Sequence, residues 1–302
     1  MTRIGLIGPG AIGGVVAGAL LGLERHAVAI GARTGFDELV VERPGVIDRV
    51  HPTVLVEPPV GAPVDLVVLA TKAHQTDGAR PWLDAWCGPS TVVAALQNGV
   101  EHVARLDGVI GQASLAPTIV FCPAERLAPG HVRLSGRAAL TVPDDRAGRF
   151  VASVFDGSYV KVRTSADWLT DAWIKLLSNC AGGAVTTLAR GSNRLLDDPD
   201  AAELCRGLMS EAAAVGRAEG ARLPDDIADT VMAGIRSMAA DHHSSIVVDR
   251  LAGRPTEWRV RNEIVVRKAA EHGIAVPLNH AMTTLLRLGE PSAEAHAQKI
   301  EA

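Results

Sequence analysis

The sequence predicts an α/β domain built on a parallel sheet, followed by an all-helical domain, and three observations carry that prediction. Near the start, the short apolar run Ile4-Gly5-Leu6-Ile7 leads straight into Gly8-Pro9-Gly10-Ala11-Ile12-Gly13 and then into the helix-like Val15-Val16-Ala17-Gly18-Ala19-Leu20-Leu21. Residues 27–30, 64–70 and 91–96 are compact apolar runs of strand length, as expected of strands buried on both faces of a parallel sheet. From about Asp167 onward the apolar residues fall instead at helical spacing, with Gly or Pro between most of the periodic segments.

The first element has a specific meaning. Strand, tight turn and helix in that order form the cradle of a dinucleotide pyrophosphate in a Rossmann-type domain. Gly8 allows the turn, Gly10 lets the backbone approach the phosphates, and Gly13 lets the helix pack on the strand. Unpaired N–H groups and the partial positive charge of the helix start then face the anion. We therefore expect Gly8, Pro9, Gly10, Ala11, Ile12 and Gly13 to contact a cofactor. In a chain of 30 glycines the pattern alone is weak; its position between a strand and a helix gives it weight. Residues 4–23 carry no charge and could be scanned as a membrane segment, but Gly8-Pro9-Gly10 would break a spanning helix.

The chain has 302 residues, with 30 basic and 34 acidic side chains and a formal net charge of −4. This length suits two domains, which we place at residues 1–166 and 167–302. The balanced charge points to neither nucleic acid nor a membrane surface as partner. Cys87, Cys122, Cys180 and Cys205 have neither metal-ligand nor disulfide-framework spacing, so no metal is expected and a reducing cytoplasm is the default location. Lysine occurs only at Lys72, Lys161, Lys175, Lys268 and Lys299, so each is harder to assign to routine surface charge.

Taken in order, residues 113–164 read as extended pieces broken by Pro117, Pro123, Pro129-Gly130 and Gly136, added at the edge to close the sheet. Helices are expected over residues 167–189, 199–219, 224–240, 256–272 and 277–288. Two such domains leave a cleft of the kind in which ligands bind.

The second strand ends Ile30-Gly31-Ala32-Arg33-Thr34, with no acidic residue before Asp37 to hold a ribose 2′-hydroxyl. Arg33 can meet a 2′-phosphate or stand as a solvated loop arginine; with the acid missing, NADPH is the expected cofactor. Lys72 and Asn98 each follow a sheet strand directly, where open α/β sheets bind ligands, although either could be a turn or cap residue. Lys175 and Asn179 stand four apart on one face of an otherwise apolar helix, reading as a ligand-facing pair or a narrow solvated stripe. Thr256 can cap the following helix with Glu257 in its first turn, a sufficient structural role by itself. His242 and His243 read as loop residues.

These residues together resemble the ketopantoate reductases, also called 2-dehydropantoate 2-reductases. The resemblance covers nearly the whole chain. It rests on Gly8-Pro9-Gly10-Ala11-Ile12-Gly13, Lys72, Gln97-Asn98-Gly99, Trp173-Ile174-Lys175-Leu176-Leu177-Ser178-Asn179-Cys180, and Ser244-Ser245 leading to Gly253-Arg254-Pro255-Thr256-Glu257. It implies NADPH-dependent reduction of a small 2-keto acid, 2-dehydropantoate, to pantoate on the route to pantothenate and coenzyme A. It also implies a C-terminal domain like that of 6-phosphogluconate dehydrogenase. By the same resemblance Lys175 is the general acid, and Glu257 hydrogen-bonds the substrate hydroxyl. Asn179, Asn193 and Ser245 bind substrate, and Lys72 and Asn98 stand at the nicotinamide end. The chain departs from the family where Gly183 replaces an asparagine often found there and where Trp258 adds bulk beside Glu257, so a related 2-keto acid is an alternative substrate. A β-hydroxyacid dehydrogenase of the same two-domain plan and a nucleotide-binding regulatory protein are further alternatives. The apolar faces of the helical domain suit a homodimer, and the sequence leaves monomer and dimer both open.

Overall fold

The computed structural model describes residues 1–290. The chain divides into two compact units, Met1–Trp168 and Leu169–Ala302; the last twelve positions of the expected helical domain, Lys299 among them, lie outside the described residues.

The first unit contains β1 (Thr2–Ile7), α1 (Ala11–Leu21), β2 (His26–Gly31), β3 (Leu39–Arg43), β4 (Val46–Val50), β5 (Thr53–Leu55), β6 (Leu66–Leu69) and α2 (Thr76–Trp86). It continues with β7 (Val92–Ala95), α3 (His102–Leu106), β8 (Ser114–Pro117), β9 (Ile119–Phe121) and β10 (Ala124–Ala128). β11 (His131–Leu134), β12 (Ala139–Pro143), α4 (Arg146–Val154) and β13 (Lys161–Ser165) complete it. Six strands form one wholly parallel sheet in the order β5-β2-β1-β6-β7-β8. The order steps outward from β1 in both directions, which is the doubly wound arrangement with its switch point between β1 and β6. Ile4, Leu6, Leu66, Val68 and Ala94 pack on the face that α1 covers, while Val67, Leu69, Val93 and Ala95 pack on the opposite face with Trp82, Leu83 and Trp86 of α2.

The expected edge strands are only partly so. β8 extends the main sheet, but the remaining strands make two smaller sheets, β10-β11-β3-β4 and β13-β12-β9. The four-stranded sheet lies over α1, where Gly14 faces Val132 and Gly18 faces Val41. This second cover explains the charge-free run at residues 4–23: α1 is buried on all sides, and a helix so placed is apolar all round without entering a membrane. No helix among the described residues is long and apolar enough to cross a membrane.

The second unit is helical, as expected of its periodicity: α5 (Trp168–Cys180), α6 (Gly182–Leu188), α7 (Pro199–Ala218), α8 (Ile227–Arg236), α9 (Ser245–Leu251), α10 (Ile264–Glu271) and α11 (Pro277–Leu288). A π-helical turn, Arg259–Glu263, runs directly into α10. The helix expected over residues 167–189 is broken at Ala181, where the Cys180 carbonyl accepts a hydrogen bond from Asn262 Nδ2 at 2.7 Å and two glycines of low helix propensity follow. α9, missing from the expected set, begins within Ser244-Ser245.

Candidate active site

In the first unit the expected cofactor residues gather at the carboxyl ends of parallel strands. Gly8 leaves β1 with φ +89°, a conformation that a side chain disfavours. Its carbonyl accepts from Gly10 N at 2.8 Å, and Gly14 N bonds back to Gly10 O at 2.8 Å. A Cβ on Gly13 would overlap the Gly8 carbonyl oxygen, whereas a Cβ on Gly10 would meet nothing within 4 Å. The turn is therefore closed on its protein side and open beside Gly10. α1 has no side-chain cap, so the N–H groups of Ala11, Ile12 and Gly13 have no partner within the helix. Arg33 is exposed two residues past β2.

Lys72 and Asn98 come together, beyond β6 and β7, through a residue the sequence reading quoted without a role. Gln97, 3% exposed, donates from Nε2 to Thr71 O at 3.2 Å and to Thr76 Oγ1 at 3.0 Å. Its backbone carbonyl accepts from His102 Nε2 at 2.7 Å. Burial lowers the His102 pKa to about 4, with Arg105 adding to the effect. Gln97 thus fixes the loop carrying Lys72 against the loop carrying Asn98.

The second unit gathers the remaining site residues. α5 carries half-buried Lys175 and buried Asn179 one turn apart, between Trp173, Leu176, Leu177 and Cys180 in the core. Desolvation, and secondarily the Arg261 charge, lowers the Lys175 pKa to about 8. Glu257 is buried, and its Oε2 lies 3.6 Å from Arg261 Nη2. The same Nη2 donates to Ser245 Oγ at 2.8 Å, joining α9 to the Glu257 segment. Asn193 is anchored by its backbone N–H to the His242 carbonyl at 3.0 Å. His242 lies in the loop before α9, as expected, and its pKa is lowered, by burial first, with His243 and Lys175 contributing repulsion.

The expected cap is corrected. Thr256 donates from Oγ1 to Glu290 Oε2 at 2.8 Å, and its N–H bonds Glu290 Oε1 at 2.6 Å. The helical backbone begins at Trp258, two residues after Thr256. Trp258 is buried, with the Arg259 guanidinium 5.1 Å from its ring centroid. Arg261 was missed by the sequence reading, although its position four residues after Glu257 was a usable signal for an ion pair on one helical face.

A doubly wound nucleotide domain and a helical domain holding a half-buried lysine and a buried glutamate define an α/β oxidoreductase class. Residues 4–146 match the family model described as "Ketopantoate reductase PanE/ApbA", and residues 167–290 match its C-terminal counterpart. The chain belongs to the ketopantoate reductase family. It is 43% identical over 286 residues to a 2-dehydropantoate 2-reductase of Caulobacter vibrioides, covering 95% of this chain and 98% of that one. Its identity to the Mycobacterium tuberculosis 2-dehydropantoate 2-reductase is 42% over 287 residues, covering 94% and 97%. A PanE/ApbA family ketopantoate reductase from Ralstonia eutropha superimposes with a TM-score of 0.87 at 30% identity, covering 95% of this chain and 98% of that one.

Proposed function

We propose that this chain is an NADPH-dependent reductase that converts 2-dehydropantoate to pantoate, acting in the cytoplasm on the route to pantothenate and coenzyme A. The observation that carries the reading is half-buried Lys175 with buried Asn179, Glu257 and Arg261 in a chain similar over nearly its full length to 2-dehydropantoate 2-reductases.

The first unit fits the cofactor. Backbone N–H groups of Ala11, Ile12 and Gly13 would hold the pyrophosphate in the space left open beside Gly10. Arg33, with no acid beside it at the end of β2, would take the 2′-phosphate, and Lys72 and Asn98 would hold the nicotinamide end. When bound, the reduced nicotinamide supplies a hydride. As the 2-oxo carbon accepts it, the carbonyl electrons move onto oxygen, and the Lys175 ammonium stabilises that charge and gives up its proton. A pKa near 8 leaves Lys175 charged at neutral pH yet ready to donate. Glu257 would accept the hydrogen bond of a substrate hydroxyl, while Asn179, Asn193 and Ser245 would orient the acid. The reading includes a homodimer, in keeping with a Staphylococcus aureus ketopantoate reductase described as dimeric; light scattering at twice the 31.6 kDa chain mass checks it.

Arg33→Ala tests the cofactor assignment. KM for NADPH should rise about tenfold or more while KM for NADH stays within about twofold, because only the 2′-phosphate contact is lost. Equal losses for both cofactors would remove Arg33 from 2′-phosphate recognition.

A further inference from the structure

The chemistry above gives Arg261 an influence on the Lys175 pKa but no contact with substrate, yet it is built into the cluster. It is 2% exposed, and a guanidinium cannot shed its charge to relieve burial. Glu257 Oε2 stands 3.6 Å from its Nη2, beyond a good hydrogen bond. Its Nε is buried with no hydrogen-bond partner among the described residues, as are Ser244 Oγ and Asn193 Nδ2. Unmet buried donors are costly, so each of these needs a cause.

Two further features give this cluster a direction. Where a Cβ would stand on Gly183, the nearest atoms are Ile246 Cγ2 at 3.5 Å, Arg261 Nη1 at 3.8 Å and Ser244 Oγ at 3.8 Å. A methyl there would lie in ordinary contact with all three, so at Gly183 no side chain stands between the α6 backbone and the guanidinium. Because Arg261 Nη2 donates to Ser245 Oγ, that hydroxyl keeps its own hydrogen to donate onward, and Ser245 is exposed.

We propose that Arg261, together with the Ser245 hydroxyl it holds, receives the carboxylate of the 2-oxo acid. This rests on the reductase reading above. A carboxylate between a guanidinium and a hydroxyl gains charge-assisted hydrogen bonds, which are about twice as strong as neutral ones.

The test compares the native enzyme with Arg261→Met on 2-dehydropantoate and on its neutral carboxamide, with NADPH as reductant. The native enzyme should prefer the acid. Arg261→Met should raise KM for the acid by about 10- to 100-fold, erase the preference over the amide, and leave KM for NADPH unchanged. Native turnover with an unchanged KM and an unchanged acid preference in the variant would overturn the proposal while leaving the reductase reading intact. Failure of the native enzyme on every 2-oxo acid would overturn both. Should Arg261→Met not fold, Arg261→Lys decides: it keeps the charge but loses the planar fork, so KM for the acid should rise about tenfold with the preference retained. An unchanged KM in that variant would overturn the proposal.

Discussion

Lys175→Ala is expected to lower kcat by about 10² to 10⁴ while leaving NADPH affinity within about twofold of native. The lysine belongs to α5 of the helical unit, whereas the turn at Gly8 that would bind the pyrophosphate belongs to the first unit, so acid catalysis and cofactor binding are carried by different residues and are separable. The pH dependence follows from the same residue. Burial and Arg261 lower its pKa to about 8, so it carries its proton below that pH and loses it above. kcat/KM should be level near neutrality and fall about tenfold per pH unit well above 8. Arg261→Met removes one of the two causes of the lowered pKa, and should move this limb to higher pH. Unchanged kcat in Lys175→Ala would remove the residue from the mechanism.

Gly13→Ala should abolish measurable NADPH binding and also lower Tm. A Cβ there overlaps the Gly8 carbonyl oxygen, and relieving the clash must shift the start of α1 against β1; overpacking of this kind typically costs about 1–3 kcal/mol. Gly10→Ala gives the contrasting result. Nothing lies within 4 Å of its Cβ, so Tm should hold while cofactor binding falls, because the methyl occupies the space meant for phosphate. Fluorescence titration with NADPH beside thermal melting separates the two effects. Native affinity in Gly10→Ala would move the phosphates elsewhere.

The turn at Gly8 was legible because each glycine has a local reason to be glycine, and local reasons survive in sequence. The same holds for Lys72 and Asn98, which are marked by following strands directly. The separate sheets of residues 119–143 were not legible. Alternation identifies a strand but not which neighbour it pairs with, and β12 chooses β9 and β13 over the main sheet for reasons of three-dimensional packing. The break at Ala181 depends on Asn262, 82 positions from the Cys180 carbonyl it bonds. Thr256 looked like a cap because its true partner, Glu290, is 34 positions away. Gln97 and Arg261 were hidden for the same reason, since their work is to join segments distant in the chain. Lys175 and Glu257 stood out as chemistry only through the motifs around them; the guanidinium that links Glu257 to Ser245 is visible in the folded unit.

The most direct measurement is oxidation of NADPH, followed at about 340 nm, with 2-dehydropantoate beside a panel of other 2-oxo acids. The account predicts saturable turnover with a clear preference for 2-dehydropantoate, at a kcat/KM of about 10⁴ M⁻¹s⁻¹ or more. A preference for another 2-oxo acid would contradict the substrate while keeping the chemistry of Lys175. No oxidation with any acid in the panel, by a protein that binds NADPH, would contradict the central claim that this chain is a reductase.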